Sequence, residues 1–311
     1  ALLTGHAVLY KPSEYASCTG TLISQLLHDA GVPQELFVLI IGGGKVGEEL
    51  LKLPLDGVFF TGSYATGKKI NEQVASKLTK VQLELGGKDP VYVCEDVDIK
   101  MAASSLSDGA FYNNGQSCCA VERIYVHQAI YDSFVESFVS EVKNFVIGDP
   151  LSEKTYIGPL TRSAQIEVLE NQIKDALARG AKVLTGGKKI NRAGSYFEPT
   201  VLTQVNHEML LMKEESFGPI IGIQKVSGDE EAIKLMNDTE YGLTAGVYTQ
   251  DEKRAESILK QVNSGTVYWN CCDRVSPNLP WAGRGHSGVG CTLSHYGIET
   301  FLRLKAWHGK K

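Results

Sequence analysis

Short apolar runs alternate with amphipathic stretches through the first third of the chain. Ala7 to Tyr10 reads as a strand stopped at Lys11-Pro12, and Ser13 can cap a helix running to about Ala30, with Gly31 and Pro33 as its stop. Leu36 to Ile41 is continuous and β-branched, which predicts a strand buried on both faces. It enters Gly42-Gly43-Gly44 and a helix from about Val46. Gly57 to Phe60 is a third strand ending at Thr61-Gly62-Ser63, and a helix is expected over Ala65 to Leu78. Val81 to Leu85 is a fourth strand, closed by Gly86-Gly87. Four such alternations with short loops imply a parallel sheet with helices on its faces.

Past Lys88 the pattern becomes a second α/β unit. Strands are expected at Val91 to Val93, Ile124 to Val126, Val183 to Thr185, Glu198 to Leu202, Ile220 to Lys225, Gly246 to Thr249 and Gly265 to Asn270. Helices are expected at Ile99 to Tyr112, Ala129 to Val146, Ala164 to Arg179, Asp229 to Asn237 and Arg254 to Val262. The fold class is therefore α/β: a parallel-sheet cofactor domain over residues 1–86, a second α/β domain over 87–290, and a C-terminal segment, 291–311, returning towards the first. No internal repeat or low-complexity linker interrupts it, and the Gly86-Gly87 boundary reads as a hinge.

Composition narrows the partners. A 311-residue chain can bury two cores, and 43% hydrophobic with 22% charged residues is ordinary for a soluble globular protein. The net charge of −5 and the lack of a basic stripe argue against nucleic acid. The most apolar run is far too short for a bilayer, and no secretory signal is visible. The seven cysteines include two vicinal pairs, Cys118-Cys119 and Cys271-Cys272, with no CxxC or CxxH, so no metal site is expected. Reduced thiols in the cytoplasm are the simplest reading. The abrupt start at Ala1 suggests that an upstream segment is absent.

Several motifs carry candidate chemistry, each with a bland alternative. The run Gly42-Gly43-Gly44-Lys45-Val46-Gly47 between strand and helix is a weak dinucleotide signal, because the acidic residue expected at the end of the next strand is absent. Lys11 and Glu14 lie at the ligand-binding edge of a parallel sheet and could hold ribose hydroxyls, or form a solvated helix start. Thr61-Gly62-Ser63 could meet a pyrophosphate or cap a helix. Glu84, in an apolar strand before two glycines, suits a general base with a raised pKa; the alternative is a structural Glu paired with Lys88. Phe111 to Cys119 is a polar, Gly-containing loop with two thiols, a poor packing choice but a good nucleophile position. His6, His28 and His127 read as surface or edge positions, so a His-activated thiol is unsupported. Glu214-Glu215-Ser216-Phe217-Gly218-Pro219 could grip a sugar and wall a ring, or be a plain loop.

Together, Lys11-Pro12-Ser13-Glu14, Phe60-Thr61-Gly62-Ser63, Glu84-Leu85-Gly86-Gly87-Lys88, Gly115-Gln116-Ser117-Cys118 and Glu215-Ser216-Phe217-Gly218-Pro219 resemble the aldehyde dehydrogenase superfamily in order and spacing, including the 34-residue step from Glu84 to Cys118. The resemblance covers nearly the whole chain and implies NAD-dependent oxidation of a small-molecule aldehyde, with NADP as a second candidate cofactor. Carried over by position, it makes Cys118 the nucleophile and Glu84 the base. Lys11 and Glu14 would hold the adenine-side ribose, with Ser63 and Gly47 near the pyrophosphate. Thr61, Gly62 and Leu85 would line the nicotinamide, while Glu215 binds its ribose with Phe217 alongside. Ser117, Cys119 and Trp281, with the loop from Cys271 to Leu279, would line the substrate pocket, and Arg274 in that loop reads as a solvated charge. Glu14 favours NAD, since a carboxylate repels a 2′-phosphate.

Two departures follow from the resemblance. The family's Pro-Trp-Asn segment, source of the second oxyanion donor, should lie upstream of Ala1, as should the arm that builds the homo-oligomer. Loss of one such donor typically costs about 10²–10³ in rate. Two competing readings remain: a truncated, catalytically impaired nucleotide-binding relative, and a Cys-dependent esterase or acyl transferase without NAD. The retained Lys11, Glu14 and Glu215 argue against the second.

Overall fold

The computed structural model describes residues 1–272 and 274–310. The first third holds β1 (Val8–Tyr10), α1 (Ser17–Asp29), β2 (Phe37–Leu39), α2 (Gly44–Leu50), β3 (Gly57–Thr61), α3 (Tyr64–Val74) and β4 (Lys80–Glu84). The expected alternation is present, but the four strands do not form one sheet. β1 pairs with β2 and β3 with β4, both in parallel, and the two pairs belong to separate sheets. The physical reason is local. β1 and β2 are three residues each, and the halves are joined by side chains instead of a ladder: Gln73 Nε2 donates to the Glu48 carbonyl, and Lys77 Nζ donates to the carbonyls of Leu51, Lys52 and Leu53.

The expectation that the second strand is buried on both faces also fails. Phe37 is buried, but Val38 and Ile41 are exposed. With one neighbouring strand and α1 as its main helical cover, β2 hides one face only.

The rest of the chain builds β5 (Asp89–Val93), α4 (Ile99–Phe111), β6 (Val121–His127), α5 (Tyr131–Lys143), α6 (Ala164–Ala178), β7 (Lys182–Thr185), β8 (Thr200–Thr203), α7 (Leu210–Lys213), β9 (Ile220–Val226), α8 (Asp229–Asn237), β10 (Thr244–Tyr248), α9 (Glu252–Leu259), β11 (Thr266–Trp269), β12 (Gly288–Val289) and α10 (Ser294–Glu299). β5 to β11 form one sheet in the order β11-β10-β5-β6-β9-β8-β7, parallel except for the β7–β8 hairpin. Alternation along its central strands sends side chains to two cores. Val91, Val93, Ile124 and Val126 pack with Leu106, Phe111, Phe134 and Phe138 of α4 and α5. Tyr92, Cys94 and Tyr125 face the other core, with Leu169 and Ile173 of α6, Met236 of α8 and Ile258 of α9. Both faces are covered, as a parallel sheet requires. The chain is thus α/β, with a Rossmann-like first portion and a second, doubly covered α/β portion.

The end of the chain folds back. β12 joins β4 antiparallel, with Gly288 opposite Glu84, giving the three-stranded order β12-β4-β3. Phe301 stacks on Phe59 with ring centroids 4.4 Å apart, and Lys80 Nζ donates to the Thr300 carbonyl. No helix among the described residues is long and apolar enough to cross a membrane.

Candidate active site

Three segments converge where the chain leaves β4 and enters β5. The first is Glu84 to Lys88 itself. The second is the loop between α4 and β6, and the third is the strip Glu215 to Gly218 before β9. Their closeness is visible at the glycines. A Cβ on Gly86 would collide with the Glu215 carboxylate, and one on Gly87 would stand 2.5 Å from the Cys118 carbonyl oxygen. Gly115, at φ +67°, would meet the Gly218 carbonyl at 2.5 Å. Only residues without a side chain let these backbones approach so closely.

Glu84 ends β4 half-buried. Its Oε1 accepts from Gln82 Nε2 at 3.1 Å and from Thr292 Oγ1 at 3.2 Å. Burial pushes its carboxyl above the usual range, and hydrogen bonds from Thr292, Trp281 and Gln82 partly offset that. Glu84 Oε2 is buried without a hydrogen-bond partner among the described residues. Lys88 is not its partner. The Lys88 ammonium lies 2.5 Å from Glu122 Oε2 in a fully buried pair, so the alternative of a Glu84–Lys88 ion pair is excluded.

Cys118 occupies a tight turn closed by the Ala120 N–H donating to the Ser117 carbonyl at 3.2 Å. Gln116 anchors that turn, accepting from the Thr161 N–H at 2.9 Å. A hydrogen bond from Cys119 lowers the Cys118 thiol pKa, against burial and the charges of Asp89, Glu215 and Glu84, which raise it. Ser117 Oγ lies 3.4 Å from Cys119 Sγ. Cys118, Cys119 and Trp281 share one apolar cluster with Leu243 and Leu293. Trp281 and Thr292 exchange backbone hydrogen bonds of 2.8 Å, so the element carrying Trp281 also delivers Thr292 to Glu84.

Glu215 accepts from the Gly87 N–H at 3.0 Å. Burial, then the Glu122 charge, raises its pKa to about 7. The strip around it is clamped from below. Glu122 accepts from the Ser216 and Phe217 N–H groups at 2.8 and 3.0 Å, and Lys88 donates to Ser216 Oγ at 3.1 Å. Gln165 and Gln172 of α6 donate to the Ser216 and Glu215 carbonyls at 2.6 and 3.2 Å. Phe217 is held at φ +45°.

The remaining candidates sit at the C-terminal ends of the first four strands, where parallel sheets bind ligands. Thr61 pairs with Glu84 in register, and Gly62 N–H donates to the Glu84 carbonyl at 3.1 Å. Ser63 caps α3, its hydroxyl accepting from the Thr66 N–H, and Leu85 packs on Gly67. Lys11 follows β1; its ammonium donates to the carbonyls of Pro12 and Gly42, and its stem passes Gly47 inside α2. Glu14 is exposed in a short 3-10 turn with Ser13 as cap. The loop from Cys271 is placed differently from the other pocket candidates. Cys272 packs under α4 against Gly109 and Val121, and Arg274 lines an open cleft of about 560 Å³ with Asp108 and Glu141; Asp273 lies outside the described residues.

Sequence reasoning missed Gln82, Thr292, Glu122 and Gln172, and gave Ser216 no role of its own within the motif that holds it. Gln82 had a signal, because residues two apart on a strand share a face. The others reach the site only through the fold.

A family model described as the aldehyde dehydrogenase family matches residues 1–307. Aminoaldehyde dehydrogenase 1, peroxisomal, from Pisum sativum is 39% identical over 309 residues, covering 98% of this chain and 61% of that protein. Betaine aldehyde dehydrogenase, chloroplastic, from Atriplex hortensis is 38% identical over 98% of this chain and 62% of that protein. The structure of lactaldehyde dehydrogenase from Escherichia coli superimposes with a TM-score of 0.95 at 36% identity, covering 97% of this chain and 64% of that one. The chain spans about three-fifths of the length of the curated relatives it matches. On the family match, and on the identity to these relatives along nearly its whole length, the chain belongs to the aldehyde dehydrogenase family.

Proposed function

We propose that this chain carries the cofactor-binding and catalytic part of an NAD-dependent aldehyde dehydrogenase, with Cys118 as nucleophile and Glu84 as general base. The observation that carries the reading is the meeting of Cys118, Glu84 and Glu215 around the side-chain-free strip Gly86-Gly87. Domain limits of 1–86, 87–290 and 291–311 and a homo-oligomeric parent belong to the same proposal. A cytoplasmic setting, expected from the cysteine usage of the sequence, belongs to it as well.

The residues fit a dinucleotide. Gly86 leaves a cradle that any Cβ would fill, and Glu215 has one oxygen on the Gly87 N–H and a second to offer a ribose hydroxyl. Thr61, Gly62 and Ser63 are exposed at the end of β3, beside the N-terminus of α3. Lys11 and Glu14 would take the other ribose, and Glu14 favours NAD over NADP. Bound NAD would supply the hydride acceptor.

The protein's own residues do the rest. The Cys118 thiolate adds to the aldehyde carbonyl and forms a thiohemiacetal, whose oxyanion can take the Cys118 N–H as donor. Loss of hydride leaves a thioester on Cys118. Glu84, in its ionised form and made more basic by burial, takes a proton from the attacking water and becomes the neutral acid. Hydrolysis then releases the carboxylic acid and restores the thiol.

NADH formation at 340 nm with short, aromatic, carboxylated and amino aldehydes tests the reading, alongside Cys118→Ala. Activity abolished in Cys118→Ala supports it. Activity that survives in Cys118→Ala overturns it, and NAD binding without turnover in any form leaves the impaired nucleotide-binding relative.

A further inference from the structure

Asp89 lies next to the site without a role in the reaction derived above. It opens β5 with 2% of its surface exposed. Its Oδ2 accepts from Thr244 Oγ1 at 2.6 Å, while Oδ1 is buried with no hydrogen-bond partner among the described residues. The neighbouring cations are engaged elsewhere: Lys88 with Glu122, and Arg123 with the carbonyls of Lys88, Leu235 and Met236. Among the described residues, the ionisable groups that act on the carboxyl include Cys118, Cys119 and Glu122, which can only add negative charge. An ionised carboxylate buried without a counter-charge costs several kcal/mol, so such a group keeps its proton.

A neutral acid has a proton to donate, and Oδ1 needs an acceptor. A Cβ on Gly87 would stand 2.7 Å from Asp89 Oδ1 and 2.5 Å from the Cys118 carbonyl oxygen, so both oxygens border the same gap. We propose that Asp89 is a positioning residue for the nucleophile: its carboxylic acid O–H donates from Oδ1 to the Cys118 carbonyl across the space that Gly87 leaves open.

Two consequences follow. The Cys118 peptide is fixed, and with it the direction of the sulfur. The acid must also stay neutral, because an Asp89 anion would raise the Cys118 thiol pKa and suppress the thiolate. Burial holds the Asp89 carboxyl well above the ordinary carboxylate range, in line with that requirement.

The role of Cys118 as nucleophile rests on the proposed function, but the test need not. Alkylation of Cys118 by iodoacetamide, followed by peptide mass mapping from pH 6 to 10, requires neither aldehyde nor NAD. Asp89→Asn keeps a neutral donor. It should alkylate within about threefold of the parent up to pH 8, and lack any inflection that ionisation of Asp89 gives the parent. Asp89→Ala, if folded, should shift the alkylation profile and lower kcat at least tenfold with KM for NAD unchanged. Asp89→Asn impaired as severely as Asp89→Ala would overturn the proposal, as would an Asp89→Ala profile identical to the parent. If Asp89→Ala does not fold, Asp89→Asn decides alone, by matching the parent or losing reactivity. A parent that alkylates as expected yet oxidises no aldehyde would count against the proposed function and leave Asp89 in place.

Discussion

Thr292 Oγ1 donates to Glu84 Oε1 across 3.2 Å, so a residue 208 positions along the chain steadies the carboxylate proposed as base. That hydrogen bond stabilises the ionised form, offsetting the burial that raises the Glu84 pKa. Thr292→Val should therefore raise it further, moving the acid limb of the activity profile to higher pH by about half to one unit, the worth of one hydrogen bond. An unmoved limb in the pH dependence of kcat would remove Thr292 from this role.

Glu84→Gln separates the two halves of the reaction. The amide keeps an oxygen for Thr292 but cannot take a proton from water. Hydrolysis should slow by about 10²–10⁴ while the Cys118 thioester still forms. Rapid-quench mass spectrometry should then show the acyl-enzyme accumulating. Equal loss of acylation and deacylation would mean that Glu84 acts on the thiol as much as on the water.

Lys88 and Glu122 hold the floor of the site. Lys88→Met leaves the Glu122 carboxylate buried with only backbone N–H groups and is expected to cost about 3–5 kcal/mol in urea unfolding. Lys88→Met with Glu122→Gln should recover part of that, because no unpaired charge remains. A single variant as stable as the parent would show that the Ser216 and Phe217 amides alone satisfy Glu122.

Much of this was legible in the chain because the elements are locally determined. Asp229–Asn237 begins with three acids and forms the helix at the bounds its pattern sets. Gly86-Gly87 place Glu84 at the end of β4 from sequence, with the strand running Lys80–Glu84 against the expected Val81 to Leu85, a shift of one residue at each end. Sheet partnership was not legible. Nothing near Leu36 to Ile41 records that, among the described residues, β2 has β1 alone beside it and leaves Val38 exposed. Nor could Lys88 declare its partner: Glu84 is four residues away and Glu122 is thirty-four, and β5–β6 pairing decides for the distant one. Thr292 became visible only when β12 returned to β4.

Glu215 titrates where the enzyme would work. Its pKa is raised to about 7, chiefly by burial. A carboxyl raised on folding contributes stability that is fully present below its unfolded pKa, about 4.3, and lost as pH rises through 7. Glu215→Gln removes that titration, so its Tm relative to the parent should improve steadily between pH 5 and 8. The cofactor feels the opposite sign. An ionised Glu215 accepts a ribose hydroxyl more strongly than the neutral acid, by about 1.5 kcal/mol or roughly tenfold in Kd. Fluorescence titration of the parent with NAD should therefore show affinity rising through pH 7, with no rise in Glu215→Gln. A flat parent profile would place the ribose elsewhere than on this carboxylate.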